Sequence, residues 1–310
     1  MNSQSFTFSR RELWLLLVLT LSWGVNWPIM KIGVTEMAPM TFRMVCMGAG
    51  MPLLWLVVKV QGASLRIPRE HWREFGWLVL TNMLVWFILV MYGVKLLASG
   101  RAAILGYTMP VWAAIFGILI FRDRPSPRLA LGVAAAAIGV ALLLAGEFAA
   151  IKGSPLGTML MLVAAMVWGF GTHLMRRRRQ PTSVLTITFW AQAIVLLVCS
   201  LLALLFERDQ WHWPPSGAGY AAIIYNAVVI FGFSQAIWFR IASTLPPVAS
   251  GLSVMLIPVT GLFSGMLLLG ETPRWQDWFA LGSILVAMAA VLLPAGTLTR
   301  LRGLISELRS

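Results

Sequence analysis

The sequence predicts an all-α, polytopic membrane protein with ten transmembrane helices, arranged as two inverted repeats of five helices, and with both termini in the cytoplasm. Three observations predict this fold. The chain is 59% hydrophobic and only 11% charged, whereas a soluble domain carries roughly 25% charged residues. It contains ten separate apolar segments, and motifs of the first half recur in the second.

Each apolar segment has about the 20 residues needed to cross a hydrocarbon core roughly 30 Å thick. The weakest segment is 218–240, because Asn226, Gln235 and Arg240 interrupt it. The first segment lacks a small-residue cleavage site and is followed by further spans, so we expect a retained helix and not a signal peptide. The predicted spans are 12–32, 40–58, 75–95, 101–121, 128–146, 155–175, 183–206, 218–240, 246–269 and 275–293.

Lysines and arginines are distributed unevenly between the predicted loops. If the N-terminus is cytoplasmic, the cytoplasmic segments hold seventeen of them and the outer segments six. The positive-inside rule then places both termini in the cytoplasm, in a bacterial inner membrane. Arg176–Arg179 lies between two spans, so we interpret this run as a topological anchor and not as a nucleic-acid-binding patch. We therefore expect no nucleic-acid partner despite the net charge of +13.

Matching motifs relate the two halves of the chain. Pro110 and Pro258 end similar hexapeptides and correspond at an offset of 148, and Trp23 and Trp168, each followed by Gly, correspond at an offset of 145. We predict repeats at 1–148 and 149–310. Because each repeat has an odd number of helices, the two copies cross the membrane in opposite directions, which is typical of transporters.

Several loose motifs recur in an order that is specific in combination. The chain resembles the drug/metabolite transporter superfamily, in its ten-helix, two-repeat EamA-type branch, and most closely the bacterial aromatic amino-acid exporters. One departure is Phe121-Arg122, where the family pattern prefers Gly-Glu. The resemblance implies alternating-access export of neutral or aromatic amino acids and related small metabolites. The motifs that carry it are Trp23-Gly24, Trp168-Gly169, Phe42-Arg43, Pro258, Gly270-Glu271 and Gly282.

Polar and aromatic side chains inside the spans are the candidate substrate-binding residues, since polar groups are costly in hydrocarbon and normally face protein or water. Trp23, Asn26 and Trp27 share one face of the first helix. At each polar position the alternative is a hydrogen bond that only joins two helices. The candidates are Trp23, Asn26, Trp27, Asn82, Trp86, Tyr107, Thr108, Trp168, Thr172, Tyr225, Asn226, Gln235, Trp238 and Ser253.

Two prolines and one arginine have distinct predicted roles. Pro110 and Pro258 each free a backbone carbonyl and kink a helix, so we expect hinges there. Arg43 lies inside the second predicted span, about one turn from its outer end. It either snorkels to the outer surface or attracts a substrate carboxylate with its planar guanidinium.

All eleven acidic residues fall in loops or at span ends, so no carboxylate is expected at midmembrane. Proton- and sodium-driven carriers usually keep such a group in their pathway. We therefore expect transport that is uncoupled or weakly coupled to a proton gradient.

The sequence gives little support for a metal site, a cofactor or an enzymatic activity. Cys46 and Cys199 lack metal-ligand spacing, and the three histidines lack catalytic partners, so we expect no metal, no cofactor and no enzymatic activity. The expected partners are the lipid bilayer and a small molecule, either a neutral or aromatic amino acid or an amphipathic metabolite, and we expect a monomer. The alternatives are an exporter of another metabolite or drug and a lipid-handling flippase.

Overall fold

A computed structural model describes residues 10–122, 126–149, 153–214, 216–234 and 247–292, with side chains described except at 10–13, 149 and 247–253. These residues are helical throughout, with short connections and no strand among them. The helices are α1 (Arg10–Glu36), α2 (Pro39–Val60), α3 (Trp72–Val79), α4 (Val85–Leu96), α5 (Ser99–Gly106), α6 (Met109–Leu119), α7 (Pro127–Ala149), α8 (Pro155–Arg176), α9 (Val184–Phe206), α10 (Gly217–Ile224), α11 (Pro247–Leu269) and α12 (Trp275–Leu292).

Within the described ranges, nine helical stretches are long and apolar enough to cross a membrane, and Val254–Leu269 adds a shorter apolar helix. One crossing, Arg69–Leu96, joins α3 and α4 through a π-helical turn at Leu80–Leu84. Another consists of α10 and a π-helical segment at Tyr225–Ser234. The predicted all-α, polytopic membrane fold is thus confirmed, with nine to ten apolar helices.

At one end of the bundle, carboxylates cap the N-termini of other helices and so connect separate crossings. Each carboxylate accepts hydrogen bonds from the backbone at the beginning of a different helix, where N–H groups lack partners within the helix and the helix dipole favours negative charge. We call this the acid-capped end, and the opposite end, which carries Arg176–Arg179, the arginine end. The bonds run to Glu36 from Ser216, to Glu147 from Ser154, to Glu207 from Met40 and Thr41, and to Glu271 from Ser99 and Gly100.

Two pairs of helices approach closely through glycine. A Cβ atom on Gly24 of α1 would lie 3.2 Å from the carbonyl oxygen of Ile257 on α11. A Cβ atom on Gly169 of α8 would lie 2.9 Å from the carbonyl oxygen of Met109 on α6. Gly24 and Gly169 are 145 positions apart, which is the offset that relates Trp23 to Trp168. Met109 and Ile257 are 148 positions apart, which is the offset that relates Pro110 to Pro258. The close contacts therefore join positions that the sequence repeat makes equivalent.

The fourth crossing is broken into α5 and α6 at Tyr107–Thr108, and Pro110 is the second residue of α6. Proline suits that position because the first N–H groups of a helix have no partner within it. α5 packs mainly on α11 and also on α8 and α1, whereas α6 packs mainly on α8 and also on α12. Pro258, in contrast, lies inside the continuous α11. The two parts of this crossing share α8 as a neighbour but differ in their main one.

Candidate functional site

Two aromatic pairs lie about midway along the bundle. The rings of Trp86 on α4 and Trp168 on α8 are 5.2 Å apart, tilted by 58°. The rings of Trp27 on α1 and Tyr107, which follows α5, are 6.3 Å apart in an edge-to-face arrangement. Such geometries are favourable for aromatic rings. Trp86 and Trp168 are partly exposed, whereas Trp27 and Tyr107 are buried, and their contact holds α1 against the end of α5.

Close packing surrounds the buried pair. A Cβ atom on Gly106 would lie 2.9 Å from the Trp27 ring, and one on Gly261 of α11 would lie 3.2 Å from the same ring and 2.8 Å from Ala103. Trp27 is therefore enclosed by α5 and α11 together.

Several polar candidates join helices, as the alternative interpretation allowed. The Asn82 amide donates to the carbonyl oxygen of Gly171 on α8 at 3.1 Å. The Tyr225 hydroxyl donates to the carbonyl oxygen of Ser22 on α1 at 2.8 Å. Each bond links two crossings, so these two side chains also have a structural role.

The two candidate threonines bond within their own segments. Thr108 donates to the carbonyl oxygen of Leu105 at 2.7 Å, at the break between α5 and α6. Thr172 donates to the carbonyl oxygen of Trp168 at 3.0 Å. Both hydroxyls are donors to the backbone, and only Thr172 is partly exposed.

Two of the candidate residues have a buried amide oxygen with no hydrogen-bond partner among the described residues. They are the Oδ1 atoms of Asn26 on α1 and Asn226 in the π-helical segment. The Asn226 amide nitrogen donates to the carbonyl oxygen of Ala222 at 3.1 Å, so only its oxygen is spare. A buried acceptor without a donor is unfavourable, and a solute that carries N–H groups would satisfy it.

Arg43 is buried, at 1% exposure, so the expectation that it snorkels outward is wrong. The helix packing places its guanidinium 4.8 Å from the ring centre of Phe87 and 5.4 Å from that of Phe231. Its Nη2 contacts the sulfur of Met30 at 3.6 Å, and its Nε has no hydrogen-bond partner within the described ranges. Aromatic faces attract a cation, but they do not neutralise it.

Three candidates fall where the structure gives no side chain. Gln235 and Trp238 lie outside the described residues, and only the backbone of Ser253 is described, within α11. Of the others, Trp23 is partly exposed and packs against the same hydrophobic core as Trp27 and Tyr107.

Sequence reasoning missed a buried charge cluster at the acid-capped end. Arg101 on α5 forms ion pairs with Glu147 on α7 and Asp277 on α12. All three side chains are buried. The pairs join residues far apart in the chain, so no local sequence signal marks them.

The helical fold, with polar and aromatic groups inside the bundle, is that of a polytopic membrane protein. The chain belongs to the EamA-like transporter family, which it matches over residues 10–145 and 155–293. The resemblance to the drug/metabolite transporter superfamily is thereby confirmed.

Curated relatives and a solved structure resemble this chain over most of their length. The uncharacterized transporter YoaV of Bacillus subtilis is 24% identical, over 83% of this chain and 88% of that protein. The uncharacterized inner membrane transporter YedA of Escherichia coli is 26% identical, over 90% and 89%. A probable amino-acid metabolite efflux pump of Salmonella typhimurium is 24% identical, over 85% and 89%. One crystal structure, 20% identical, matches with a TM-score of 0.59 over 92% of this chain and 98% of that chain, and it supports the fold alone.

Proposed function

We propose that this transporter exports neutral or aromatic amino acids, and related amphipathic metabolites, across the bacterial inner membrane by alternating access, and that it is not an enzyme. The observation that carries this proposal is the partly exposed Trp86–Trp168 pair at the middle of the bundle. Aromatic rings in contact inside a membrane protein suit a planar or apolar side chain. The Salmonella relative, named as a probable amino-acid metabolite efflux pump, is consistent with this substrate class.

Other buried polar groups of the bundle match the two ends of an amino acid. Arg43 is a buried cation without a described counter-ion, and its planar fork suits a carboxylate. The spare amide oxygens of Asn26 and Asn226 can accept hydrogen bonds from an ammonium group. The partly exposed Trp23 and Thr172 complete the proposed binding region, and the buried Trp27 and Tyr107 hold its helices in place.

Alternating access follows from two inverted halves, which we place at 1–148 and 149–310. The equivalent contacts of Gly24 with Ile257 and of Gly169 with Met109 support this division. The lysine and arginine distribution supports an orientation with the acid-capped end outside and both termini in the cytoplasm. Pro110 and Pro258 are the proposed hinges.

Transport is proposed to be uncoupled or weakly coupled to protons. The described carboxylates lie at the two ends of the bundle, away from the aromatic pairs. At the acid-capped end, Glu147, Glu207, Glu271 and Asp277 accept hydrogen bonds or pair with Arg101. A carboxylate already engaged in this way is a poor carrier of a coupling proton through the middle of the protein.

The test is counterflow in liposomes that contain the purified protein. Labelled phenylalanine, and then threonine, is added outside liposomes preloaded with the unlabelled amino acid, with and without a pH gradient. We expect saturable exchange that does not depend on the gradient. Accumulation driven by the gradient would contradict the uncoupled mechanism, and the absence of amino-acid flux would contradict the substrate class and direct the search to other metabolites or to lipids.

A further inference from the structure

The acid-capped end contains a buried, three-membered charge cluster that joins three crossings. The Arg101 guanidinium donates from Nε to Oδ1 of Asp277 at 2.7 Å and from Nη2 to Oδ2 at 3.0 Å. Its Nη1 forms an ion pair with Glu147. Arg101 and Asp277 are each 5% exposed, and Glu147 is 7% exposed. We call this cluster the charge latch.

Other bonds fix the carboxylates of the latch and hold α5 in place. Asp277 accepts a hydrogen bond from the backbone N–H of Arg274 at 2.7 Å, and Glu147 accepts one from that of Ser154. The start of α5 is held separately by Glu271, which accepts from the N–H groups of Ser99 at 2.6 Å and Gly100 at 3.2 Å. Short α5 is therefore bound at its beginning to the connection between α11 and α12, and through Arg101 to α7 and α12.

α5 also has the local geometry of a movable segment. It is eight residues long and is separated from α6 by the break at Tyr107–Thr108. Gly100 lies against Leu262 of α11, with the Cβ of Leu262 3.4 Å from a Cβ placed on Gly100. At the other end of α5, Gly106 lies against Trp27. α5 thus runs from the acid-capped end, where Glu271 caps it, to the Trp27–Tyr107 pair, so its movement would change the packing between them.

A cavity of about 300 Å³ borders the latch, and its lining includes Arg101, Glu147, Glu271, Asp277 and Leu262. Polar cavities of this size hold water. Water beside the latch can solvate the charges as they separate, which lowers the barrier to opening. In the closed state the same charges attract strongly, because they are buried and bidentate.

We propose that α5 is the gate at the acid-capped end, and that the Arg101–Asp277–Glu147 latch sets how often this gate opens. The proposal rests on the alternating-access function, but it does not depend on the substrate. Arg101, Glu147 and Asp277 thus act as positioning residues for transport and need not touch the solute.

The test measures how fast a water-soluble reagent reacts with a cysteine at a buried position of α5. Cys46 and Cys199 are replaced by Ala, and Leu105→Cys is introduced on α5, where the leucine is fully buried. The purified full-length protein in nanodiscs is treated with a charged, water-soluble methanethiosulfonate, and the modification rate is compared between variants. Because no substrate is needed, this experiment can fail or succeed independently of the amino-acid assignment.

Asp277→Asn and Arg101→Met are expected to raise the modification rate about tenfold or more, since each removes an ion pair that favours the closed state. Arg101→Lys should give a smaller increase, because lysine keeps the charge but lacks the fork. The matched control is Glu207→Gln, which alters another buried carboxylate of the acid-capped end that caps α2 and not α5. It should leave the rate nearly unchanged.

Unchanged rates in both Asp277→Asn and Arg101→Met would overturn the proposal. An equal rise in Glu207→Gln would also overturn it, because the effect would then belong to the whole end of the bundle. General loosening is monitored with Ala203→Cys on α9, a fully buried position outside the gate. A parallel rise at that position would likewise count against the latch.

Discussion

Gly169 lies so close to Met109 that a Cβ atom on the glycine would be 2.9 Å from the carbonyl oxygen of the methionine. The same relation, at 3.2 Å, holds between Gly24 and Ile257. The glycine of each Trp-Gly motif thus allows a helix backbone to approach the proline-containing crossing of the other half. The motifs have a packing role as well as supplying tryptophans to the middle of the bundle.

Gly169→Ala is expected to destabilise the protein by about 1–3 kcal/mol, because the added methyl group meets backbone atoms that cannot easily move away. The control is Gly282→Ala on α12, where nothing lies within 4 Å of the added Cβ. This control should be neutral or slightly stabilising, since alanine favours a helix. Thermal unfolding in detergent measures both, and equal stability of the two variants would refute the packing role.

Trp86→Ala and Trp168→Ala are each expected to raise the half-saturation concentration for phenylalanine about tenfold, through loss of aromatic contact. Because the rings touch, the double variant should be less impaired than the sum of the two effects. Trp77→Ala is the control on the same crossing, since Trp77 is 52% exposed on the outside of the bundle. Counterflow kinetics measure all four. Full additivity, or an equal effect of Trp77→Ala, would argue against a shared binding surface.

Arg43→Met is expected to weaken transport of phenylalanine about tenfold while leaving phenylalaninamide, which lacks a carboxylate, much less affected. Arg43→Lys should recover part of the loss, because it restores charge without the planar fork. Lys59→Met is the matched control on α2, where Lys59 stacks on Trp55. The prediction is checked by competition of each compound with labelled phenylalanine. Equal losses for the acid and the amide would leave Arg43 with a structural role only.

Arg122→Gly is expected to stabilise the protein by about 1 kcal/mol, since Arg122 has a φ of 60°, a left-handed conformation that is unfavourable for residues with a Cβ. The position 148 residues later is Gly270, with a φ of 64°. Gly270→Ala should therefore destabilise by a similar amount. Melting temperatures of the two variants test this opposite pair of effects, and changes of the same sign would contradict it.

Much of the fold was predictable because membrane helices leave a strong local signal. Apolar length located the crossings, and Pro110 marked the region where the fourth crossing breaks. The π-helical segments at Leu80–Leu84 and Tyr225–Ser234 were not predicted. They depend on how whole helices pack and not on local hydropathy.

The candidate site was predictable in composition but not in arrangement. Helical spacing grouped Trp23, Asn26 and Trp27, but it did not show that Trp86 meets Trp168. The acidic residues looked like ordinary end groups, whereas Asp277 is buried against Arg101, which is 176 positions away. Arg43 was expected to have a path to the surface, but Phe87 and Phe231 cover it. Each feature that the sequence did not predict depends on tertiary contacts between separate helices.

The central claim, that solute crosses only when α5 moves at the acid-capped end, is tested most directly by locking α5 to α11. Gly100→Cys and Leu262→Cys, in a protein with Cys46 and Cys199 replaced, would place the new Cβ atom of position 100 at 3.4 Å from the Cβ and 2.9 Å from the Cα of position 262. The two helices must therefore separate slightly to reach the roughly 3.8 Å usual between the Cβ atoms of a disulfide. Phenylalanine counterflow is then measured after oxidation and again after reduction. The account predicts that oxidation stops exchange and that reduction restores it. Equal exchange by the fully cross-linked and the reduced protein would contradict the account.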